Sequence, residues 1–261
     1  MSFLESIFLG IVQGITEFIP VSSSAHLKLA KHFLNLNEAN HSVLLDLSCH
    51  LGTLLALMIF LKEDILDILR KKRKILLFFL ALLPIIPFYF LLKPLRELAS
   101  QKEFLGPCLI GTGLILLAGQ SLRMSRSEIK GTTPKTQDVL MIGILQSAAL
   151  IPGISRSAAT ISCARILGWS TKEAVRFSFL LSIPTVIGGN FIELLKTTSF
   201  AKGELSLPIT SLLAAFGTAF LIGFFIVKKA IQYLEKGNLK PFAWYVLTLG
   251  AFTTLYFTYV I

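Results

Sequence analysis

The sequence predicts an all-α polytopic membrane protein: six transmembrane helices plus two re-entrant helix-loop-helix hairpins, arranged as an inverted-topology repeat. Three observations carry that prediction. Of 261 residues, 54% are hydrophobic and 15% charged, with a mean hydropathy of +0.72, which is more apolar surface than a soluble domain of this length can bury. Six apolar runs approach the ~20 residues needed to cross ~30 Å of hydrocarbon. Two further apolar segments are cut short by proline and restart within a few residues as second helices.

The first of these broken segments covers 3–19, ends at Pro20 and restarts over 22–34 as SSSAHLKLAKHFL. Spans follow at 43–61, 75–92 and 104–122. The second broken segment covers 139–151, ends at Pro152 and Gly153, and restarts over 155–168 as SRSAATISCARILG. Spans then recur at 177–195, 209–227 and 242–261. Both restarts open on serines, which favour N-cap positions. Broken backbone at membrane depth is tolerated only where it is buried in protein or lines a wet cavity, so both segments read as re-entrant hairpins. Cys49, Cys108 and Cys163 sit in apolar segments without metal-ligand spacing, which implies neither a disulfide framework nor a zinc site. The opening MSFLESIFLG lacks Lys and Arg, and no small-residue cleavage site follows, so the N-terminus is expected to be retained.

Written out, the two hairpins resemble each other. GIVQGITEFIPVSSSAH from Gly10 and GILQSAALIPGISRSAAT from Gly143 share G-I-x-Q, then I-P, then a serine cluster, with a one-residue gap. The chain thus reads as a single membrane domain, 1–261, made of a first repeat over 1–123 (hairpin 3–34) and a second over 138–261 (hairpin 138–168). Three crossings separate the hairpins, so the second enters from the opposite face. Such repeats commonly bring broken helices and a binding site together near the bilayer midplane.

This parity also sorts the charges. Lys28, Lys31, Lys93, Arg96, Lys102, Lys196 and Lys202 fall on the side of both termini, seven in all. Seventeen fall on the other side, among them the RKKRK run at 70–74, Arg123, Arg126 and Lys130. The positive-inside rule puts the seventeen in the cytoplasm and both termini outside. The net charge of +10 is then accounted for by loops facing anionic lipid, with no nucleic-acid partner. Arg156 alone lies inside a hairpin, where a guanidinium is costly enough to point to an anionic partner.

Phosphate suits that position. Two helix N-termini and an arginine make an anion site, the guanidinium can hold two phosphate oxygens at once, and Ser22, Ser23, Ser24, Ser155 and Ser157 add donors. Gln13 and Glu17 are spaced i, i+4 and share a face. At Glu17 a carboxylate can hold a divalent cation that bridges to phosphate, or relay a proton. His26 lies one turn after Ser23, a nucleophile-and-base spacing. Each residue also has a plain structural reading: a serine cap, a protonated buried carboxyl, a satisfied core histidine. The plain reading does not explain why such rare groups converge on a repeat-related cavity. Asp46 and His50, also i, i+4, have two readings, as partners standing behind the site residues or as hydrogen-bonded helix glue, and the second is the commoner role for such a pair.

The motifs QGITEFIPVSSSAH and PGISRSAAT resemble the two signature regions of the undecaprenyl-diphosphate phosphatase family, the bacitracin-resistance membrane proteins of bacteria. The resemblance covers the whole chain in length, span pattern and repeat. It implies an active site containing Glu17, Ser23, His26, Ser155 and Arg156 on the outer face of the cytoplasmic membrane. It also implies a divalent cation, Mg2+ or Ca2+, with Glu17 as a ligand. Family members carry a glutamate or glutamine four residues before the glutamate, matched here by Gln13 and Glu17, which leaves one carboxylate fewer for the metal. The implied reaction is hydrolysis of undecaprenyl diphosphate to the monophosphate carrier used in cell-wall synthesis. A second family, the type 2 phosphatidate phosphatases, needs a later histidine and aspartate that the sequence after Arg156 lacks.

Cleaving a diphosphate calls mainly for positioning and positive charge. Ser23, His26 and water all remain available as the nucleophile at this stage. The competing class is a transporter or flippase for a phosphorylated prenyl lipid, which needs an anion site but no nucleophile. Small-residue faces such as GTGLILLAG from Gly111 can pack within or between subunits, so a homodimer is one expectation.

Overall fold

The computed structural model describes residues 2–36, 42–122, 135–200 and 207–259. Arg123, Arg126, Lys130 and Lys202, counted above among the loop charges, lie outside the described residues, as do the side chain of Lys196 and the last two positions of the 242–261 span. Every regular element among the described residues is helical. In order they are α1 Phe3–Thr16, α2 Ser23–Phe33, α3 Ser42–Phe60, α4 Lys62–Leu69, α5 Lys72–Leu82, α6 Ile85–Leu91, α7 Lys93–Leu98, α8 Leu105–Ser121, α9 Thr136–Ser147, α10 Arg156–Ile166, α11 Thr171–Phe200, α12 Ile209–Glu235 and α13 Lys240–Tyr259.

Five helical stretches among the described residues are long and apolar enough to cross a membrane: Val43–Phe60, Lys72–Leu91, Lys102–Ser121, Thr171–Leu195 and Ile209–Glu235. The sixth expected span coincides with α13, a helix of 20 residues, where Lys240, Pro241 and interspersed threonines and tyrosines dilute the hydropathy. The Lys72–Leu91 stretch is divided at Pro84, which has no N–H to continue the ladder of α5. Pro184, by contrast, lies inside the unbroken α11.

Two compact units make up the fold. The first comprises Met1–Phe18, Ser23–Lys62 and Ser182–Ala230. Its core joins Leu9, Leu27, Leu45, Cys49, Ala215 and Ala219. Helix α1 meets α12 through glycine: a Cβ at Gly10 would stand 2.8 Å from the Ala215 carbonyl oxygen, and one at Gly14 2.7 Å from Ile222 Cβ. Gly52 gives α3 the same close approach at Phe216. Lys31 at the end of α2 is 4% exposed and pairs with Asp46 of α3 at 2.6 Å.

Ile19–Ser22, Glu63–Leu181 and Ile231–Ile261 form the second unit. Here α8 and α13 pack along their lengths, with Gly106 and Gly250 facing each other at the closest point. Helix α10 lies against α8 and α9, and is buried over most of its length. Two of its polar residues bond to neighbouring segments: Thr160 Oγ1 is 2.6 Å from Ser178 Oγ, and Arg165 donates to the Gly237 carbonyl at 2.8 Å. Trp169 Nε1 donates to Asp138 Oδ2 at 3.1 Å, tying the end of α10 to the start of α9.

Both expected helix breaks are present. α1 stops at Thr16 and α2 starts at Ser23. α9 stops at Ser147, a short 3-10 turn covers Ala148–Leu150, and α10 starts at Arg156.

Candidate active site

The first break is built around Glu17. It caps α1, its backbone N–H donating to the Gln13 carbonyl. Phe18 next to it is 1% exposed, and its ring edge lies against Gly223 of α12 beside Thr53. That anchor turns the chain out of the helix and leaves the Glu17 carboxylate on the face it shares with Gln13.

Three groups meet there. Ser23 Oγ donates to Glu17 Oε2 at 2.6 Å, and Gln13 Nε2 donates to the same oxygen at 3.0 Å. Gln13 Nε2 is also 2.8 Å from His50 Nδ1 and 3.4 Å from Thr53 Oγ1. His50 Nδ1 stands 3.6 Å from Glu17 Oε2, and the Glu17 side chain is only 10% exposed. A carboxylate so buried needs donors to offset its lost hydration, and Ser23 and Gln13 supply them. The 2.6 Å oxygen-to-oxygen distance falls in the range of hydroxyl-to-carboxylate bonds, which are about twice as strong as neutral ones. Glu17 is therefore within reach of the Ser23 proton as a general base.

His50 takes up the first of the two readings that its spacing left open. The i, i+4 spacing grouped it with Asp46, but the two side chains diverge: Asp46 pairs with Lys31, and His50 joins Gln13 and Glu17. Thr53, one turn further on, was not singled out from sequence at all. His26 lies half-buried on α2 one turn after Ser23, and Ser24 is exposed. Ser22 is buried and departs from an ordinary cap, with φ at 69°. A non-glycine residue in the left-handed region is uncommon and marks a sharp turn into α2.

The second break belongs to the other unit. Ser155 is the expected N-cap of α10, its Oγ accepting from the Ala158 N–H at 3.2 Å. Ser157 Oγ lies 3.2 Å from Ser155 Oγ, and both residues are buried. Arg156 opens the helix, half-buried. Gly153 has φ 98° and no room for a Cβ, which would stand 2.5 Å from Cys108 Cβ. One residue missed from sequence clamps this loop: Thr112 of α8 donates to the Gly153 carbonyl at 2.9 Å and accepts from the Ser155 N–H at 3.0 Å.

Among the described residues no group of three or more His, Cys, Asp or Glu side chains could hold a metal ion. The anionic oxygen donor at the first break is the Glu17 carboxylate, to which Gln13 presents its Nε2. Mg2+ is usually held by one or two carboxylates together with substrate phosphates. The donor set fits that mode rather than an all-protein cage.

Fold and site together define a class: a polytopic, all-helical membrane protein with broken helices and a carboxylate–serine pair suited to group transfer. The chain belongs to the family described as Bacitracin resistance protein BacA, which matches residues 6–252. It is similar to an undecaprenyl-diphosphatase of Protochlamydia amoebophila, at 39% identity over 98% of this chain and 99% of the relative. An undecaprenyl-diphosphatase of Carboxydothermus hydrogenoformans is 36% identical over 96% of this chain and 95% of its own. Undecaprenyl-diphosphatase 4 of Bacillus cereus is 36% identical over 99% of both.

Proposed function

We propose that this protein is an undecaprenyl-diphosphate phosphatase, hydrolysing the lipid diphosphate to undecaprenyl phosphate and inorganic phosphate. That reaction returns the carrier to peptidoglycan synthesis and gives bacitracin resistance. The observation that carries the chemistry is the 2.6 Å hydrogen bond from Ser23 Oγ to Glu17 Oε2, an activated hydroxyl that a transporter would not need.

In this reading Ser23 Oγ attacks the terminal phosphorus as Glu17 takes its proton. The bond to the bridging oxygen breaks, and undecaprenyl phosphate leaves as a stable anion. Water, giving its proton to His26, then attacks the phosphoserine; the phosphorus–Oγ bond breaks, Glu17 returns its proton to Ser23 Oγ, and phosphate leaves. The paired serine motifs of the sequence repeat support giving the phosphate-holding role to Arg156, with Ser22, Ser24, Ser155 and Ser157 as further donors. A divalent cation, when bound through Glu17, would supply positive charge to the phosphates.

The fine topology is part of the same proposal: six spans and two re-entrant hairpins, the active site and both termini on the outer face of the bacterial cytoplasmic membrane. The inverted repeat in sequence and the excess of basic residues on one side support it.

The test measures phosphate release from a prenyl diphosphate by the purified protein in detergent. Wild type should release phosphate and lose most of that activity with chelator, and Ser23→Ala and Arg156→Ala should each fall at least about a hundredfold. Unchanged release by Ser23→Ala points to attack by His26 or water. Movement of labelled lipid between leaflets without phosphate release identifies a transporter.

A further inference from the structure

Gln13 is fully buried, and the way its carboxamide is oriented decides how Glu17 is held. Its nitrogen has two hydrogens and three acceptors in reach: His50 Nδ1 at 2.8 Å, Glu17 Oε2 at 3.0 Å and Thr53 Oγ1 at 3.4 Å. The two shorter contacts take the two hydrogens. Gln13 Oε1 has no partner, so nothing on the oxygen side fixes the amide. Its orientation is set by what accepts at nitrogen. Turned over, the amide would place Oε1 against the Glu17 carboxylate, acceptor against acceptor, and Glu17 would lose the donor that Gln13 supplies.

We infer that His50 is a positioning residue for the reaction proposed above, on which this inference rests. By accepting from Gln13 at Nδ1, His50 holds the carboxamide in the orientation that donates to Glu17, and Glu17 in turn stays aligned on the Ser23 hydroxyl. This hydrogen bonding leaves the imidazole proton on Nε2. Thr53 lies one turn further along α3, its hydroxyl donating to the His50 carbonyl at 3.1 Å. The chain from His50 to Ser23 thus runs through Gln13 and Glu17, and links α3, α1 and α2 of one unit. Helix glue between α1 and α3 would contribute stability alone. A positioning residue changes the rate at a given occupancy of the site.

Three variants separate these roles in the phosphate-release assay. His50→Leu removes the acceptor and should lower kcat about ten- to hundredfold with KM within about threefold of wild type. His50→Gln, whose carboxamide oxygen can accept in place of Nδ1, should restore kcat to within about threefold. Should His50→Leu not survive purification, His50→Ser, polar but too short to reach Gln13, replaces it with the same expected loss. Wild-type kcat in His50→Leu or His50→Ser overturns the inference, and so does a loss confined to KM, or His50→Gln as impaired as the variant without an acceptor. A wild-type protein that releases no phosphate overturns the phosphatase reading itself, before any variant is compared.

Discussion

At the scale of single residues the site rests on one carboxylate held by Ser23 and Gln13. Removing its charge while keeping its shape, as in Glu17→Gln, should lower kcat about a hundred- to ten-thousandfold while the protein still folds, the loss typical of a missing general base. Circular dichroism alongside the phosphate assay checks both halves of that expectation. Gln13, Glu17 and Ser23 were legible in the sequence because helical spacing puts the first two on one face and the proline break brings the third back to them. His50 was legible only as one of two readings, since it lies 37 residues from Gln13, and the polarity of a helix face does not say which partner will meet it. Asp46 and His50 illustrate the point: their spacing grouped them, and tertiary packing sent one to Lys31 and the other to Gln13. Thr112 was illegible for the same reason, being 41 residues from Gly153.

At the scale of elements, two contacts hold the broken helices in place. Thr112→Val keeps the volume but removes the hydroxyl that serves both Gly153 and Ser155, leaving two buried backbone groups without a partner. It should destabilise the protein by about 2 kcal/mol or more, seen as a lower melting temperature in detergent. Lys31→Met strands the partly buried Asp46 and should cost about 1–3 kcal/mol, while Lys31→Met with Asp46→Leu should recover most of it. If the double variant is no more stable than the single, the pair is not the source of the loss. The breaks at Pro20 and Pro152 were legible because proline coincided with serines able to restart a helix. Proline alone was a poorer guide: Pro84 divides its span and Pro184 lies within an unbroken helix.

For the whole molecule, the helical membrane architecture was legible from composition and run length, because only helices and closed barrels satisfy their backbone in hydrocarbon and apolar runs near ~20 residues select the helix. The run at 242–261 was read as a span and coincides with the helix α13, although its threonines and tyrosines weaken the hydropathy on which span prediction depends. Orientation is a separate matter and has its own test. A cysteine at the exposed position 72, in a background without the three native cysteines, should react with a membrane-impermeant maleimide only after the cells are opened. Reaction in intact cells would reverse the topology proposed above. Length is constrained more tightly than composition at the start of the chain. Glu17 bonds Gln13 through its backbone N–H and again through its carboxylate, so inserting one residue between them would swing the carboxylate about 100° around the helix axis, whereas exchanging the exposed Phe8 or Ile15 for another apolar residue leaves it aligned. Across related sequences the first helix should therefore vary freely on its outer face while admitting no insertion or deletion between Gln13 and Glu17.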